Sequence, residues 1–116
     1  MARALKALGA EVCGLDPAGL PADIPARSLE DMFAHCDAVS LHAASSNTSR
    51  GMVDASCLQH GHAGLVLVNT ARGDLLDVDA AHNALDAGRL GFLGVDVFPT
   101  EPWPRLAEQA SHPAVV

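Results

Sequence analysis

Lysine is almost missing from this chain. Lys6 is the only one, and the six arginines are scattered through 116 residues whose formal net charge is −7. That balance offers no basic face to nucleic acid or to an acidic membrane surface. No apolar run approaches the roughly 20 residues that cross a bilayer. The opening Met1-Ala2-Arg3-Ala4-Leu5-Lys6 lacks the long apolar stretch of a secretory signal. Cysteine is scarce as well. Cys13, Cys36 and Cys57 are odd in number, widely spaced and form no Cys-x-x-Cys pair, which argues against a zinc site or a disulfide framework. A reduced, cytoplasmic setting follows, with Cys13 and Cys36 expected as small core residues. The remainder is 49% hydrophobic, which suits one small domain around one core.

Apolar runs alternate with helical spacing along the chain, which predicts an α/β fold on a parallel sheet. Ala2 to Leu8 reads as the tail of a helix, ended by Gly9 in the left-handed conformation. Glu11 to Asp16 reads as a short strand broken by Asp16-Pro17, and Ala18 to Arg27 as a loop. Ser28 is placed to cap a helix whose Leu29, Met32, Phe33 and Cys36 share a face. Ala38 to Leu41 reads as a strand running into His42, and Ala43 to Arg50 as a small, polar loop. Asp54 caps a short helix reaching about Gln59. Leu65 to Val68 is the clearest strand, four β-rich apolar residues between turn residues. Asp77 caps a helix that turns Ala81, Ala84 and Leu85 inward and closes at Gly88. Leu93 to Val97 is a further strand. Pro99, Pro102 and Pro104 exclude regular structure after it, and Pro113 to Val116 opens one more strand.

In open parallel sheets, ligands bind beyond the carboxyl ends of the strands. Four predicted strands deliver polar residues there: Asp16, His42, the Asn69-Thr70-Ala71-Arg72-Gly73 turn, and Asp96. Asp16 can accept hydrogen bonds from both hydroxyls of a ribose, or serve only as a turn residue before proline. His42 can cover a cofactor or be structural. The Arg72 fork can hold a carboxylate through two parallel hydrogen bonds, or form a surface ion pair. Asp96 and Glu101 flank a proline-containing turn and read as separate orienting groups rather than a glycosidic acid–base pair.

Together these segments resemble the NAD-binding domain of the D-isomer-specific 2-hydroxyacid dehydrogenases. The resemblance spans about Ala2 to Val116. It is carried by Ser40-Leu41-His42, Leu67-Val68-Asn69-Thr70-Ala71-Arg72-Gly73, Gly88-Arg89-Leu90 and Gly94-Val95-Asp96-Val97-Phe98-Pro99-Thr100-Glu101-Pro102. It implies a Rossmann-like, doubly wound parallel sheet and NAD as cofactor. It also implies hydride transfer between NAD(H) and a small 2-hydroxy acid/2-oxo acid pair, and a homodimer in the full-length protein. Arg72 would bind the substrate carboxylate and carbonyl. Glu101 would hold a catalytic histidine and favour its charged form. Asp96 would accept from the nicotinamide carboxamide, and Asp16 from the adenosine ribose, favouring NAD over NADP. His42, Ala43, Thr70 and Ala71 would line the cofactor.

The family's first strand and its Gly-x-Gly-x-x-Gly loop have no counterpart here, since the first glycine is Gly9. His112 precedes the strand after which the family's catalytic histidine lies, so it does not inherit that role. Residues 1–116 are therefore expected to be a partial NAD-binding domain without its substrate domain. The missing strand is expected between those ending at Asp16 and Thr70, leaving the isolated chain unstable, or its slot filled by rearrangement or by a partner strand, and the chain without dehydrogenase activity. The same resemblance admits a non-enzymatic, corepressor-like module that senses NAD or binds protein, or a gene remnant. Ala44, Ala63 and Ser45 depart from residues common in the family at loop positions.

Overall fold

The structure, a computed structural model, describes the backbone of residues 1–116 and every side chain except those of Leu106 and Glu108. Three short parallel strands form the sheet: β1 (Ala38–Leu41), β2 (Val66–Asn69) and β3 (Phe92–Val95), in the order β1-β2-β3. Five α-helices accompany them: α1 (Ala2–Ala7), α2 (Leu29–His35), α3 (Ala55–Leu58), α4 (Val78–Asp86) and α5 (Leu106–Gln109). A 3-10 turn covers Gly73–Leu75.

The helix starts lie where short polar side chains replace missing intrahelical partners. Ser28 Oγ accepts from the Asp31 amide at 3.1 Å, Asp54 Oδ1 from Cys57 at 2.9 Å, and Asp77 Oδ1 from Ala80 at 2.9 Å. Each such cap contributes about 0.5–2 kcal/mol. Gly9 and Gly88 end α1 and α4 with φ of 91° and 67°, angles that a Cβ disfavours.

Strand register decides which residues form the core. Val39, Leu67 and Leu93 lie side by side and are all buried. With Met32 and Phe33 of α2, Cys57 and Leu58 of α3, and Ala81, Ala84 and Leu85 of α4, they form one cluster. Burying a Leu or Phe side chain stabilises by about 1.5–3 kcal/mol, so this face holds the domain together. The alternate residues point the other way. There Ala38 and Ser40 are exposed, and Val66, Val68, Phe92 and Gly94 are only half-buried. α1 buries none of its residues; its Leu5 is 41% exposed, and Leu8, just after it, is 85% exposed. It is tethered instead by Lys6 Nζ, which donates to the Asp23 carbonyl at 2.7 Å.

Two expectations are corrected. Glu11 to Asp16 does not join the sheet. It makes one parallel pairing, Gly14 with Ala26, through Gly14 N–H to Pro25 O (3.1 Å) and Arg27 N–H to Gly14 O (3.0 Å). A strand needs a neighbour's ladder of donors and acceptors, and no neighbouring strand reaches this segment. Nor is there a gap beside the strand ending at Thr70. β2 is paired on both sides, and the unpaired edge belongs to β1. Cys13 and Cys36 are half-buried at the margin of the core, whereas Cys57 is buried.

At the other edge the chain end behaves as expected. Leu93 N–H donates to Ala114 O at 2.8 Å, Val116 N–H to Leu93 O at 3.0 Å, and Val95 N–H to Val116 O at 2.9 Å. A fourth strand thus begins beside β3. No helix among the described residues is long and apolar enough to cross a membrane.

Candidate active site

The register that buries Leu67 also aligns the strand ends. Leu41, Asn69 and Val95 are neighbours across the sheet, so His42, Thr70 and Asp96 leave it side by side. The Asp96 amide continues the ladder, donating to Asn69 O at 3.1 Å. Three of the four predicted strand-end groups therefore share one rim. Asp16 does not join them. It is exposed in its own turn, with Oδ1 accepting from the Ala18 amide at 2.8 Å and its carbonyl from Gly19 at 3.0 Å.

The arginine turn is built around Asn69, which is completely buried. Its Nδ2 donates to Arg72 O at 2.9 Å and its Oδ1 accepts from the Ala71 amide at 3.1 Å. One side chain thereby supplies the donor and the acceptor that the turn backbone needs, and fixes where Arg72 leaves the sheet. Thr70 is exposed, and Ala71 packs against the core. Arg72 is exposed and donates from Nη1 to Ala71 O at 2.7 Å. Four of the guanidinium's five donors make no other hydrogen bond among the described residues. His42 is exposed, with Nε2 2.9 Å from Ser40 Oγ, and Ala43 is half-buried against the core.

Gly73 joins this turn to the Asp96–Glu101 segment. A Cβ there would fall 2.0 Å from the Phe98 carbonyl carbon, so only glycine lets the two backbones meet. Beyond that contact Phe98 stacks on Trp103, with ring centroids 5.8 Å apart. Trp103 Nε1 donates to Gln109 Oε1 at 2.6 Å, and Gln109 Nε2 to Asp79 Oδ1 of α4 at 2.7 Å. This chain of contacts anchors the proline-rich loop that carries exposed Glu101. His112 lies elsewhere. It precedes the fourth strand, its Nδ1 accepts from Ala114 N–H at 3.1 Å, and its Nε2 is 3.7 Å from Asp86 Oδ1 at the end of α4.

A second clasp holds the Ala43 to Arg50 loop. Asp74 Oδ2 accepts from Ser45 Oγ at 2.5 Å and from Arg50 Nε at 3.2 Å, while Asp74 O accepts from the Gly51 amide at 2.7 Å. The Ser45 hydroxyl, aided by Arg50, holds the Asp74 carboxyl below its usual value of 3.8. A depressed carboxyl stabilises the fold above its unfolded pKa, and this contribution fades as pH falls through the lower folded value. Ser45→Ala is expected to raise the Asp74 midpoint and move the acid loss of the loop to higher pH. Carboxyl NMR titration of Asp74 checks this, and an unmoved midpoint would contradict it.

Asn69, Gly73 and Asp74 carry roles that reading the sequence did not assign. Asn69 had a detectable signal, because asparagine is depleted in strands and here ends an apolar one. Gly73 and Asp74 act through residues 25 and 29 positions away in sequence, at Phe98 and Ser45 respectively, and left no local mark.

A parallel sheet with an asparagine-braced arginine turn and an Asp-Val-Phe segment at its carboxyl rim defines a Rossmann-like α/β domain of the dehydrogenase type. All of residues 1–116 match the model of the D-isomer specific 2-hydroxyacid dehydrogenase NAD-binding domain, and the chain belongs to that family. D-3-phosphoglycerate dehydrogenase of Mycobacterium tuberculosis (strain ATCC 25618 / H37Rv) is 36% identical over 107 residues, covering 88% of this chain and 20% of that protein. Hydroxypyruvate reductase of Thermotoga maritima is 30% identical over 104 residues, covering 88% of this chain and 34% of that protein. The crystal structure of a D-lactate dehydrogenase from Treponema pallidum superimposes with a TM-score of 0.84 at 27% identity, over 98% of this chain and 39% of that one. D-lactate dehydrogenase of Aquifex aeolicus, complexed with NAD and lactic acid, gives 0.86 at 25% identity, over 99% of this chain and 40% of that one. The chain thus spans a fifth to two-fifths of the length of these relatives.

Proposed function

We propose that residues 1–116 form part of the cofactor-binding domain of an oxidoreductase that moves a hydride between NAD(H) and a D-2-hydroxy acid/2-oxo acid pair. One observation carries the reading: the Arg72 turn, braced by Asn69, stands in register between the strand ends that release His42 and Asp96. The donor set fits one half of a dinucleotide. Asp96 offers a carboxylate for a carboxamide N–H, and Thr70 and Ala71 offer a short, close-packed backbone. The sequence holds no Gly-x-Gly-x-x-Gly turn for a pyrophosphate.

NAD(H), when bound, supplies the hydride. Arg72 grips the substrate carboxylate with its fork and polarises the adjacent carbonyl. Asp96 orients the nicotinamide, while His42, Ala43, Thr70 and Ala71 line its site. Asp16 accepts from the adenosine ribose, which requires its carboxylate to leave the Ala18 amide. Glu101 holds the proton-donating histidine of the whole enzyme in its charged form. The whole protein is proposed to be a cytoplasmic homodimer. The three free cysteines of residues 1–116 suit a reducing compartment.

The longest natural product of the gene, given NADH and a panel of small 2-oxo acids, tests the reading through loss of NADH absorbance. Arg72→Ala is expected to lower kcat/KM by about 100-fold or more, and Arg72→Lys to restore little of it, because an ammonium lacks the planar fork. The 116-residue chain alone is expected to show no turnover, having neither the pyrophosphate turn nor the proton-donating histidine. Full activity in Arg72→Ala would refute the assignment, and turnover by the short chain would refute the claim that it is incomplete.

A further inference from the structure

Three thiols are present, and the fold sorts them unequally. Cys57 is buried in α3, but Cys13 and Cys36, 23 residues apart in sequence, bring their sulfurs to 3.6 Å. Both are half-buried, so small disulfides and reductants reach them. The two lie on segments of different character. Cys36 ends α2, where its amide donates to Met32 O at 2.9 Å and its carbonyl lies 3.2 Å from His62 Nε2. Cys13 belongs to the extended segment that failed to enter the sheet, three residues before Asp16, and that segment's one parallel pairing is Gly14 with Ala26.

We propose that Cys13 and Cys36 form a reversible disulfide that ties the Asp16 segment to the end of α2. Closing to the roughly 2.05 Å of an S–S bond needs the sulfurs to approach by only about 1.5 Å. Oxidised glutathione is the oxidant. The Cys13 thiolate attacks one of its sulfurs, forming a mixed disulfide and releasing one glutathione thiolate. Cys36 then attacks the Cys13 sulfur, the second glutathione departs, and the Cys36 proton ends on it. Two protein thiols are oxidised and one glutathione disulfide is reduced to two thiols. The order follows from burial, which with the neighbouring Cys13 thiol and the charges of Asp37 and Asp31 pushes the Cys36 pKa up to about 11 and makes it the poorer first attacker. In a reducing compartment such a pair stays open at rest and closes under oxidation. On the NAD reading, closure would hold the ribose-binding carboxylate in one place.

The test uses the whole chain, incubated with oxidised glutathione in native buffer, alkylated and mapped by mass spectrometry. The expected product has lost two hydrogen atoms, links the Cys13 and Cys36 peptides, leaves Cys57 unlinked and reverts with dithiothreitol. In urea the selectivity disappears and all three pairings form. Amide exchange of residues 11–16 is expected to slow by about tenfold on oxidation. Glutathione adducts without a link, a link through Cys57 in native buffer, or unchanged exchange at residues 11–16 would overturn the proposal. Because wild-type protein is read by mass, the result depends neither on a variant folding nor on the chain binding NAD.

Discussion

Gly73→Ala is expected to detach the arginine turn from the Phe98 loop and lower the stability of the domain by about 3 kcal/mol or more, at the upper end of overpacking costs. The added Cβ would meet the Phe98 carbonyl carbon at 2.0 Å, its oxygen at 2.2 Å and the Pro99 nitrogen at 2.4 Å. All three are backbone atoms, so no rotamer change relieves the collision and one strand of chain must move. Against a typical domain stability of about 5–15 kcal/mol, that is a large fraction. Trp103 is the only tryptophan, and it stacks on Phe98, so its fluorescence reports the same contact during urea unfolding. Gly94→Ala is the control. Its Cβ would lie 3.7 Å from a Val68 methyl, an ordinary contact, and should change the midpoint little. Equal midpoints for the two variants would show that Gly73 does not join turn to loop.

Asn69→Ala is expected to cost about 2–4 kcal/mol, combining a cavity with two backbone groups that lose their partners. The side chain is wholly buried and donates to Arg72 O while accepting from the Ala71 amide. Without it, the Ala71 N–H and Arg72 C=O must find water or let the turn open. Exchange of the Ala71 amide should accelerate by about tenfold or more, a local effect distinct from general destabilisation. On the proposed function, kcat/KM of the whole protein should fall although Arg72 itself is intact, since its anchor is gone. Unchanged Ala71 exchange would mean that the brace is dispensable.

These two residues show where the sequence was legible. The caps at Ser28, Asp54 and Asp77 were readable because each bonds an amide three residues on. β1 was readable in full, and β2 and β3 to within a residue or two at their ends, because apolar runs between turn residues have few other uses. The shared rim of His42, Thr70 and Asp96 followed from those strands. Gly73 was visible as a glycine but not as a contact, because what demands its missing side chain is Phe98. The Asp74 clasp with Ser45 and Arg50 depends likewise on loop closure across the sheet.

Glu11 to Asp16 marks the boundary most clearly. Its residues have strand character, yet a strand is a relation between two segments, and this one finds only the single Gly14–Ala26 pairing and no sheet strand alongside it. The same non-local rule brought Cys13 beside Cys36, a pair that their spacing had argued against. By itself the sequence determined the alternation of helices and strands, the arginine turn and the family to which they belong, since these rest on hydrogen bonds and periodicities closed within a few residues. Tertiary structure alone decided which segments pair, which sheet face is bare and which loop the arginine turn meets at Gly73. Those depend on distances between residues far apart in the chain, set by how the core packs.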